Sequence, residues 1–202
     1  MTICSDEQAA VLDLILASTS PYRRQQLTQF GLSFSVRDSA VDEVCLDDEP
    51  PVAFALRMAK NKAEAVASDF PDAWVIGADQ VCEFENQIIR KPGNHLRASQ
   101  QLANFSGKTV LFHSALSVVH LASGGCISSN TLTKVCFKNN SQAVIEHYLH
   151  LDQPYDCAGS FKIESQGLRL MHSVESTDPS ALVGLPLIAL CSALTTLGYP
   201  KL

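Results

Sequence analysis

The first third of the chain contains a stretch that reads as a strand, a tight turn and a helix, and it constrains the fold more than any other part. Leu12–Ala17, with the sequence LDLILA, is a short apolar run typical of a buried strand. Ser20 and Pro21 then predict a helix start, with a side-chain cap followed by a proline at the first helical position. Gly31 predicts the end of that helix. A buried strand that leads directly into a helix is a building unit of α/β folds.

Strands and helices alternate over the rest of the chain, so we expect an α/β or mixed α+β class. Further strands are predicted at Ser33–Arg37, Ala73–Phe84, Ile88–Arg90, Thr109–Leu121, Cys126–Lys138 and Leu168–Val174. Further helices are predicted at Val52–Phe70, Leu96–Phe105, Gln142–Leu149 and Leu187–Leu197. The chain has 202 residues and is 46% hydrophobic, which suits a single domain with a real core. We expect residues 1–11 to be a surface extension of that domain.

Charge and composition exclude several classes of protein. The net charge of −6 argues against a nucleic-acid polymer as partner, because such binders usually carry a basic face. The apolar runs are too short or too interrupted to span a membrane, and the acidic N-terminus does not resemble a signal peptide. The seven cysteines form no CxxC pair, which favours reduced thiols in a cytoplasmic protein over a metal site.

Two adjacent arginines at the start of the first predicted helix break a rule of local electrostatics. Arg23 and Arg24 lie in or beside the first turn, where the helix dipole favours acids. A phosphate group bound there would relieve both the repulsion by the dipole and the repulsion between the two guanidiniums. If instead both point into water, the penalty is at most about 1 kcal/mol. This feature alone therefore leaves both interpretations open.

Four further residues supply the components of phosphoryl chemistry. Asp79 follows VIGA, an apolar stretch that should be buried, and acids at the carboxyl ends of such stretches can hold Mg²⁺ or orient a water, although they also serve as turn caps. Glu43 lies in an acidic loop, Lys62 on a long helix and Lys91 before a proline. Each of these three is typical of a solvated side chain when taken alone. Together they add a second acid and two more cations to Asp79.

The segment from Asp156 to Gly167, DCAGSFKIESQG, is rich in small residues that let a ligand approach the backbone. Its Glu164 has acceptor oxygens suited to the N–H edge of a guanine-type base, although composition alone favours a surface acid in a loop. Motifs of other enzyme classes are missing from the sequence: there is no GxSxG elbow, no GxxxxGK[ST] loop and no GxGxxG after a strand.

Taken in order, the short motifs of this chain resemble the Maf family of nucleotide pyrophosphatases. The motifs are LASTSPYRRQQL, VDE at Val41–Glu43, NKA at Asn61–Ala63, GADQV at Gly77–Val81, KP at Lys91–Pro92, AGSF at Ala158–Phe161 and GLPL at Gly184–Leu187. The resemblance implies an elongated, two-lobed α/β fold with a central cleft, similar to the inosine-triphosphate pyrophosphatase group. It implies hydrolysis of a nucleoside triphosphate to the monophosphate and pyrophosphate, with Mg²⁺ or Mn²⁺ as the divalent cofactor.

The resemblance also implies roles for individual residues. Asp79 corresponds to the catalytic base, and Glu43 to its partner in handling the metal or the water, so both are expected to be metal ligands. The residues implied in phosphate binding are Ser18, Arg23, Arg24, Lys62 and Lys91.

Three positions bear on which nucleotide is used. Many members of the family have an arginine after the proline and a threonine after the catalytic aspartate, and these resemble dTTP/UTP enzymes. This chain has Tyr22 and Gln80 there, with Glu164 further on, a combination that resembles the branch acting on 7-methyl-GTP. Methylation at N7 makes guanine cationic, and an aromatic face attracts a cation by roughly 0.5–2 kcal/mol. Glu164 is expected to accept the N–H groups of the ring, and Gln80 to offer both a donor and an acceptor.

The chain departs from the family pattern at Arg90, where a glycine is usual, and at Ser114 and Ala115, where a threonine–glycine pair is usual. These departures put the geometry of the cleft edge in question. The function expected is removal of 7-methyl-GTP from the nucleotide pool by a cytoplasmic homodimer. The alternatives are a pyrophosphatase for dTTP/UTP or another modified nucleotide, a non-enzymatic regulator of septum formation, and, more distantly, a redox or metal–thiolate protein.

Overall fold

The computed structural model describes residues 14–202. The predicted surface extension at residues 1–11 and the start of the first predicted strand lie outside the described residues. The strands are β1 (Leu14–Ala17), β2 (Ser35–Arg37), β3 (Trp74–Phe84), β4 (Gln87–Ile89), β5 (Thr109–His120), β6 (Gly125–Phe137) and β7 (Met171–Ser176). The α-helices are α1 (Pro21–Gln29), α2 (Pro51–Ala67), α3 (His95–Phe105), α4 (Gln142–Asp152) and α5 (Leu187–Thr196).

All these strands belong to one mixed sheet of seven strands, which confirms the predicted α/β class. The strand order is β2-β1-β3-β5-β6-β7, and β4 pairs with β3. β1 is parallel to both β2 and β3, whereas the pairs from β3 through β5 and β6 to β7 are antiparallel. A mixed sheet of this kind combines a parallel unit, which needs a helical crossover, with a meander that needs only short turns.

The edge of β3 that does not face β5 contains a recess. On that edge β1 pairs with Trp74–Ile76, and β4 pairs with Cys82–Phe84. Between them, residues 77–81 have no strand partner on this edge within residues 14–202. The stretch contains Asp79 and Gln80, so the break in strand pairing coincides with two of the candidate site residues predicted from the sequence.

The helices cover the two faces of the sheet differently. α2 packs on one face, against two apolar clusters that include residues of β1, β3 and β5. The opposite face carries two separate clusters, one beneath α5 and Leu27 of α1, the other beneath α3 and α4. Gln80 and Ser114 are adjacent across β3 and β5 in the gap between these two clusters. The core is therefore continuous beneath α2 and interrupted by polar side chains on the other face.

A glycine sets the distance between α2 and β3. A Cβ atom at Gly77 would lie 2.1 Å from the carbonyl oxygen of Ala59 and 2.7 Å from the amide nitrogen of Ala63. No side chain fits there, so the helix backbone rests directly on the strand. Lys62 of α2 is thereby brought against Asp79, which points to the same face of β3 as Gly77.

Most predicted elements form with shifted ends, and one shift has a clear cause. The predicted strand Leu168–Val174 begins only at Met171, because Gly167–Leu170 forms a 3-10 turn. The amide of Gly167 donates to the carbonyl of Lys162, which turns the chain before the strand starts. Every cysteine between residues 14 and 202 is a free thiol, as predicted. Within that part of the chain, no helix combines the length and apolarity required to cross a membrane.

Candidate active site

Three charged side chains meet in the recess of β3. The Lys62 ammonium donates to Asp79 Oδ1 at 2.7 Å and to Glu43 Oε1 at 2.5 Å. Asp79 comes from β3, Lys62 from α2, and Glu43 from the loop that precedes α2. Asp79 and Lys62 are only 6% and 7% exposed, so this ion pair is shielded from water. We call these three residues the charged wall.

The charges of the site keep Glu43 ionised. Burial alone would raise its pKa, but the hydrogen bond from Lys62 and the positive charges of Lys62, Lys91 and Arg23 outweigh that effect. The pKa of Glu43 therefore lies below its ordinary value. A carboxylate that is charged at neutral pH is suited to hold a cation or to accept a proton.

Arg23 is fixed by three contacts at the start of α1. Its amide donates to the Ser20 cap at 3.5 Å, its Nε donates to the Gly184 carbonyl at 2.9 Å, and its Nη1 donates to Ser18 Oγ at 3.2 Å. Burial lowers the pKa of Arg23, and the negative charges of Asp79 and Glu43 partly offset this. The predicted phosphate-site residue Ser18 thus contacts Arg23 and does not itself line the cleft.

The two adjacent arginines have different environments. Arg23 lines the cleft, whereas Arg24 is exposed and does not line it. Successive residues of a helix point about 100° apart, so one guanidinium of the pair faces the site and the other faces solvent. The predicted phosphate-binding role of Arg24 gains no support from this geometry and stays a prediction.

The cleft is a cavity of about 360 Å³ that opens at the recess. The charged wall and Arg23 line it, and so do Lys91 and the three residues predicted to read the base. Residues separated by up to about 160 positions in sequence are thus brought to one cavity. Its remaining lining includes aromatic and aliphatic side chains: Phe54, Val81, Ile88, Ile89, Phe112, Phe161, Ile163, Leu182 and Val183.

A second set of side chains lines the same cavity, and we call it the base wall: Tyr22, Asp156 and Glu164. The Tyr22 hydroxyl donates to the Asp156 carboxylate at 3.2 Å, which fixes the phenol ring beside the cavity. Burial raises the pKa of Tyr22, and the neighbouring Cys157 and Asp156 raise it further, so the phenol stays neutral. Glu164 is exposed at the rim. The sequence did not single out Asp156, although it begins the predicted ligand-binding segment.

The contacts of Gln80 differ from the prediction that its side-chain amide offers the substrate both a donor and an acceptor. Its Nε2 donates to the carbonyls of Ala181 and Leu182 at 3.1 and 3.0 Å, and to Ser114 Oγ at 3.1 Å. The amide protons are therefore committed to the protein, and only Oε1 is left for a ligand. Ser114 Oγ in turn donates to the Ala181 carbonyl at 2.7 Å. Ser114, one of the departures from the family pattern, thus helps to hold the turn that lines the cleft.

A buried aspartate that the sequence analysis missed supports the same loop. Asp178 accepts hydrogen bonds from the Ser180 amide and hydroxyl and from the Ile188 amide at the start of α5. These bonds fix the segment that carries Gly184, whose carbonyl orients Arg23. The available sequence signal was an Asp–Pro pair ahead of a helix, which is typical of a helix or turn cap.

Comparison with known proteins identifies the family. The model of the family described as "Maf-like protein" matches residues 13–197. The chain belongs to this family. A relative from Cupriavidus metallidurans named "7-methyl-GTP pyrophosphatase" is 48% identical over 187 residues, which are 93% of this chain and 94% of the relative. Relatives of the same name come from Polaromonas sp. (48% identity, covering 92% of this chain and 84% of the relative) and Xanthomonas axonopodis pv. citri (46% identity, 92% and 97%).

Two solved structures are similar along most of their length. A HAM1 protein from Coxiella burnetii matches with a TM-score of 0.47 and 12% identity, covering 92% of this chain and 99% of that one. The Staphylococcus aureus Ham1 protein matches with a TM-score of 0.49 and 12% identity, covering 89% and 98%. Similarity at this level has no bearing on what this Maf-like protein binds.

Proposed function

We propose that this Maf-like protein is a metal-dependent pyrophosphatase that hydrolyses 7-methyl-GTP to 7-methyl-GMP and pyrophosphate. The observation that carries the proposal is that one cavity joins the charged wall, suited to phosphates, to the base wall, suited to a cationic ring. The names of the relatives agree with this activity. Its consequence in a cell is the removal of a modified nucleotide from the cytoplasmic pool, where free thiols such as those of this chain remain reduced.

Asp79 is the residue best placed to act as general base. One carboxylate oxygen is bonded to Lys62, and the other has no hydrogen-bond partner among residues 14–202. That second oxygen can accept a proton from a water that attacks the α-phosphorus. The bond from the α-phosphorus to the bridging oxygen then breaks, and pyrophosphate leaves with the bonding electrons.

The cations of the cleft stabilise the charge that this step transfers to the leaving group. Lys62 and Arg23 are held in place by the hydrogen bonds described above, so they need no rearrangement as the negative charge moves to pyrophosphate. Lys91 is exposed at the rim and adds a positive charge near Glu43. The low exposure of Lys62 strengthens its electrostatic contribution relative to that of a surface lysine.

The two carboxylates of the charged wall fit a Mg²⁺ or Mn²⁺ ion. Glu43, like Asp79, uses one oxygen for Lys62 and has no partner for the other within the described residues. No group of three or more His, Cys, Asp or Glu side chains suited to a metal occurs in residues 14–202. Glu43 and Asp79 would hold a Mg²⁺ or Mn²⁺ ion through these two oxygens, since one or two carboxylates are the usual protein ligands of Mg²⁺ at phosphate sites. When bound, the ion supplies Lewis-acid stabilisation of phosphate charge.

The base wall suits a guanine that carries a positive charge. The face of Tyr22 attracts a cationic ring by roughly 0.5–2 kcal/mol. Glu164 can accept hydrogen bonds from N1–H and the exocyclic amine, and Gln80 Oε1 offers one further acceptor. Asp156 adds a second negative charge while it holds the Tyr22 hydroxyl. Uncharged pyrimidines gain less from such a wall.

A substrate panel tests the proposal. Pyrophosphate release is measured with 7-methyl-GTP, GTP, dTTP, UTP and ITP in Mg²⁺ or Mn²⁺, for the natural protein and Asp79→Ala. Selective turnover of 7-methyl-GTP that Asp79→Ala abolishes is the expected result. Turnover of dTTP and UTP instead would retain the chemistry and overturn the base assignment. No turnover of any nucleotide would favour the regulatory alternative. The predicted homodimer stays a prediction that the same preparation tests by its mass in solution.

A further inference from the structure

Two arginines stack on the ring of Phe54, but only one of them is neutralised. The guanidinium carbons of Arg57 and Arg90 each lie 5.5 Å from the ring centroid. Arg57 donates twice to the Glu49 carboxylate, at 2.6 and 2.5 Å. The Arg90 guanidinium has no hydrogen bond or ion pair with any residue of the described chain, 14–202, yet it lines the cleft. A cleft-facing guanidinium with free N–H donors is a site for an anion.

The backbone of Arg90 is held by a hydrogen bond, whereas its guanidinium has no hydrogen-bond partner among residues 14–202. Its carbonyl accepts a hydrogen bond from Gln101 Nε2 at 2.9 Å. The carbonyl of that same Gln101 amide accepts the hydroxyl proton of Ser160, which is fully buried. Through these two hydrogen bonds, Gln101 links the segment that carries Arg90 and Lys91 to the loop that contains Ser160. Together with the Phe54 ring, it limits the positions that the guanidinium can reach.

Phe54 gives the position of Arg90 relative to the catalytic centre. The ring is buried with Val81, which lies two residues beyond Asp79 on the same face of β3. A strand rises about 3.3 Å per residue, so Val81 is about 7 Å from Asp79 along the strand. This distance is comparable to the distance from the α-phosphorus to the outer two phosphates. If the α-phosphorus lies at Asp79, those phosphates would therefore lie near Val81 and Phe54. The base wall is formed by other segments, and a cationic base would be repelled by a guanidinium.

We infer that Arg90 binds the outer two phosphates of the substrate, the part that leaves as pyrophosphate. This inference rests on the proposed function for the identity of the nucleotide. It assigns the guanidinium to the polyphosphate and excludes it from base recognition. Arg90 therefore adds a cation to those proposed for the phosphate end, Arg23, Lys62 and Lys91.

Direct binding of the two products separates these roles. Titration calorimetry is carried out with magnesium pyrophosphate and, separately, with 7-methyl-GMP. Arg90→Ala should weaken pyrophosphate binding by about tenfold, the size of one charged hydrogen-bonding contact, and leave the affinity for 7-methyl-GMP unchanged. Arg90→Lys should recover part of the loss, because it keeps the charge but not the planar fork.

Arg37→Ala is the matched control. Arg37 is exposed, and its guanidinium carbon lies 5.3 Å from the Phe70 ring centroid, outside the cleft. The Arg37→Ala substitution removes an arginine–aromatic contact of the same kind. It should change neither the affinity for pyrophosphate nor the affinity for 7-methyl-GMP. Thermal unfolding of each variant checks that the exposed substitutions leave the fold intact.

The remaining outcomes overturn the inference. They are an unchanged pyrophosphate affinity in Arg90→Ala, an equal loss for both products, or no pyrophosphate binding by the natural protein. The substrate panel judges the proposed function separately. Turnover of 7-methyl-GTP with an unchanged pyrophosphate affinity in Arg90→Ala would refute the role of Arg90 alone. Absence of any turnover would refute the function and still leave the binding result to judge Arg90.

Discussion

The charged wall and the base wall line one cavity but are built in different ways. In the charged wall, Asp79 and Lys62 project from β3 and α2, are buried, and are joined by a short ion pair. In the base wall, Tyr22 is tied to Asp156 in a loop, and Glu164 is exposed at the rim. The pair of Asp79 and Lys62 is thus fixed by the packing of a helix on a sheet, and Glu43 joins it from a loop. The base wall combines Tyr22 of α1 with Asp156 and Glu164 from the segment after α4. If the proposed roles hold, substitutions in that segment can change recognition of the base without disturbing the Asp79–Lys62 pair.

The largest expected effect comes from the charged wall. Asp79→Asn keeps the size and hydrogen-bonding shape of the side chain but removes its basicity. Turnover of 7-methyl-GTP should fall by about 10²–10⁴-fold, while KM changes little. Steady-state kinetics with pyrophosphate detection measures both constants. Turnover close to that of the natural protein would remove Asp79 as the base.

The cation between the two carboxylates gives the next largest effect. Lys62→Met removes the hydrogen bond and the nearest of the positive charges that lower the pKa of Glu43, so that pKa should rise. The acidic limb of the pH–rate profile should then move to higher pH, and turnover should fall by about 100-fold.

Lys60→Met is the control for that substitution. Lys60 lies on the same helix and pairs with Glu64 at 3.6 Å, but both side chains are about half exposed. Its pH–rate profile should match that of the natural protein. An identical shift in both variants would mean that the ion pair within the charged wall is not the cause.

A change in the base wall should alter selectivity and leave the chemistry intact. Glu164→Gln keeps one acceptor but removes the negative charge, so the preference for 7-methyl-GTP over GTP should fall by about tenfold, equivalent to the loss of one charged hydrogen bond. The ratio of the two kcat/KM values measures it. Glu175→Gln, on an exposed position of β7, should leave that ratio unchanged. If both ratios stay the same, the base wall does not read the charge of the ring.

The smallest effect concerns the loop that brings Glu43 to the charged wall. Glu49 accepts hydrogen bonds from Arg57 and from the Leu46 amide, and Arg57 also donates to the Val44 carbonyl. The hydrogen bonds from Arg57 lower the pKa of Glu49 from 4.5 to about 2. Glu49→Gln should lower the free energy of unfolding by about 1–2 kcal/mol at pH 7.

The pH dependence of that loss follows from the direction of the shift. A carboxyl with a lowered pKa stabilises the fold above its unfolded pKa, and this contribution disappears as the pH falls through the folded value. The difference between the natural protein and Glu49→Gln should therefore shrink between pH 4.5 and 2. Urea unfolding at several pH values measures it. A difference that does not depend on pH would assign the loss to packing.

The sequence predicted the parts of the charged wall but not their arrangement. Asp79 was recognisable because it directly follows the apolar stretch VIGA, although it lies within β3 and not at the end of the strand. Lys62 looked like a solvent-facing lysine, because nothing local reveals that Gly77 lets α2 rest on β3. The sequence did not show which of Arg23 and Arg24 faces the cleft, because that depends on the orientation of α1 about its own axis. Pairs such as Tyr22 and Asp156, which are 134 residues apart, are set by the tertiary fold, and no local pattern encodes them.

The recess in β3 has a consequence for how the protein behaves at high concentration. Unpaired sheet edges recruit strands from other molecules, and this is a common route to aggregation. Residues 77–81 leave such an edge without a strand partner among residues 14–202, but β1 and β4 bound it on both sides. An opening of about 17 Å at 3.3 Å per residue is shorter than many strands, so an incoming chain would collide with its flanks. This part of β3 can therefore stay unpaired without offering a template to neighbouring molecules.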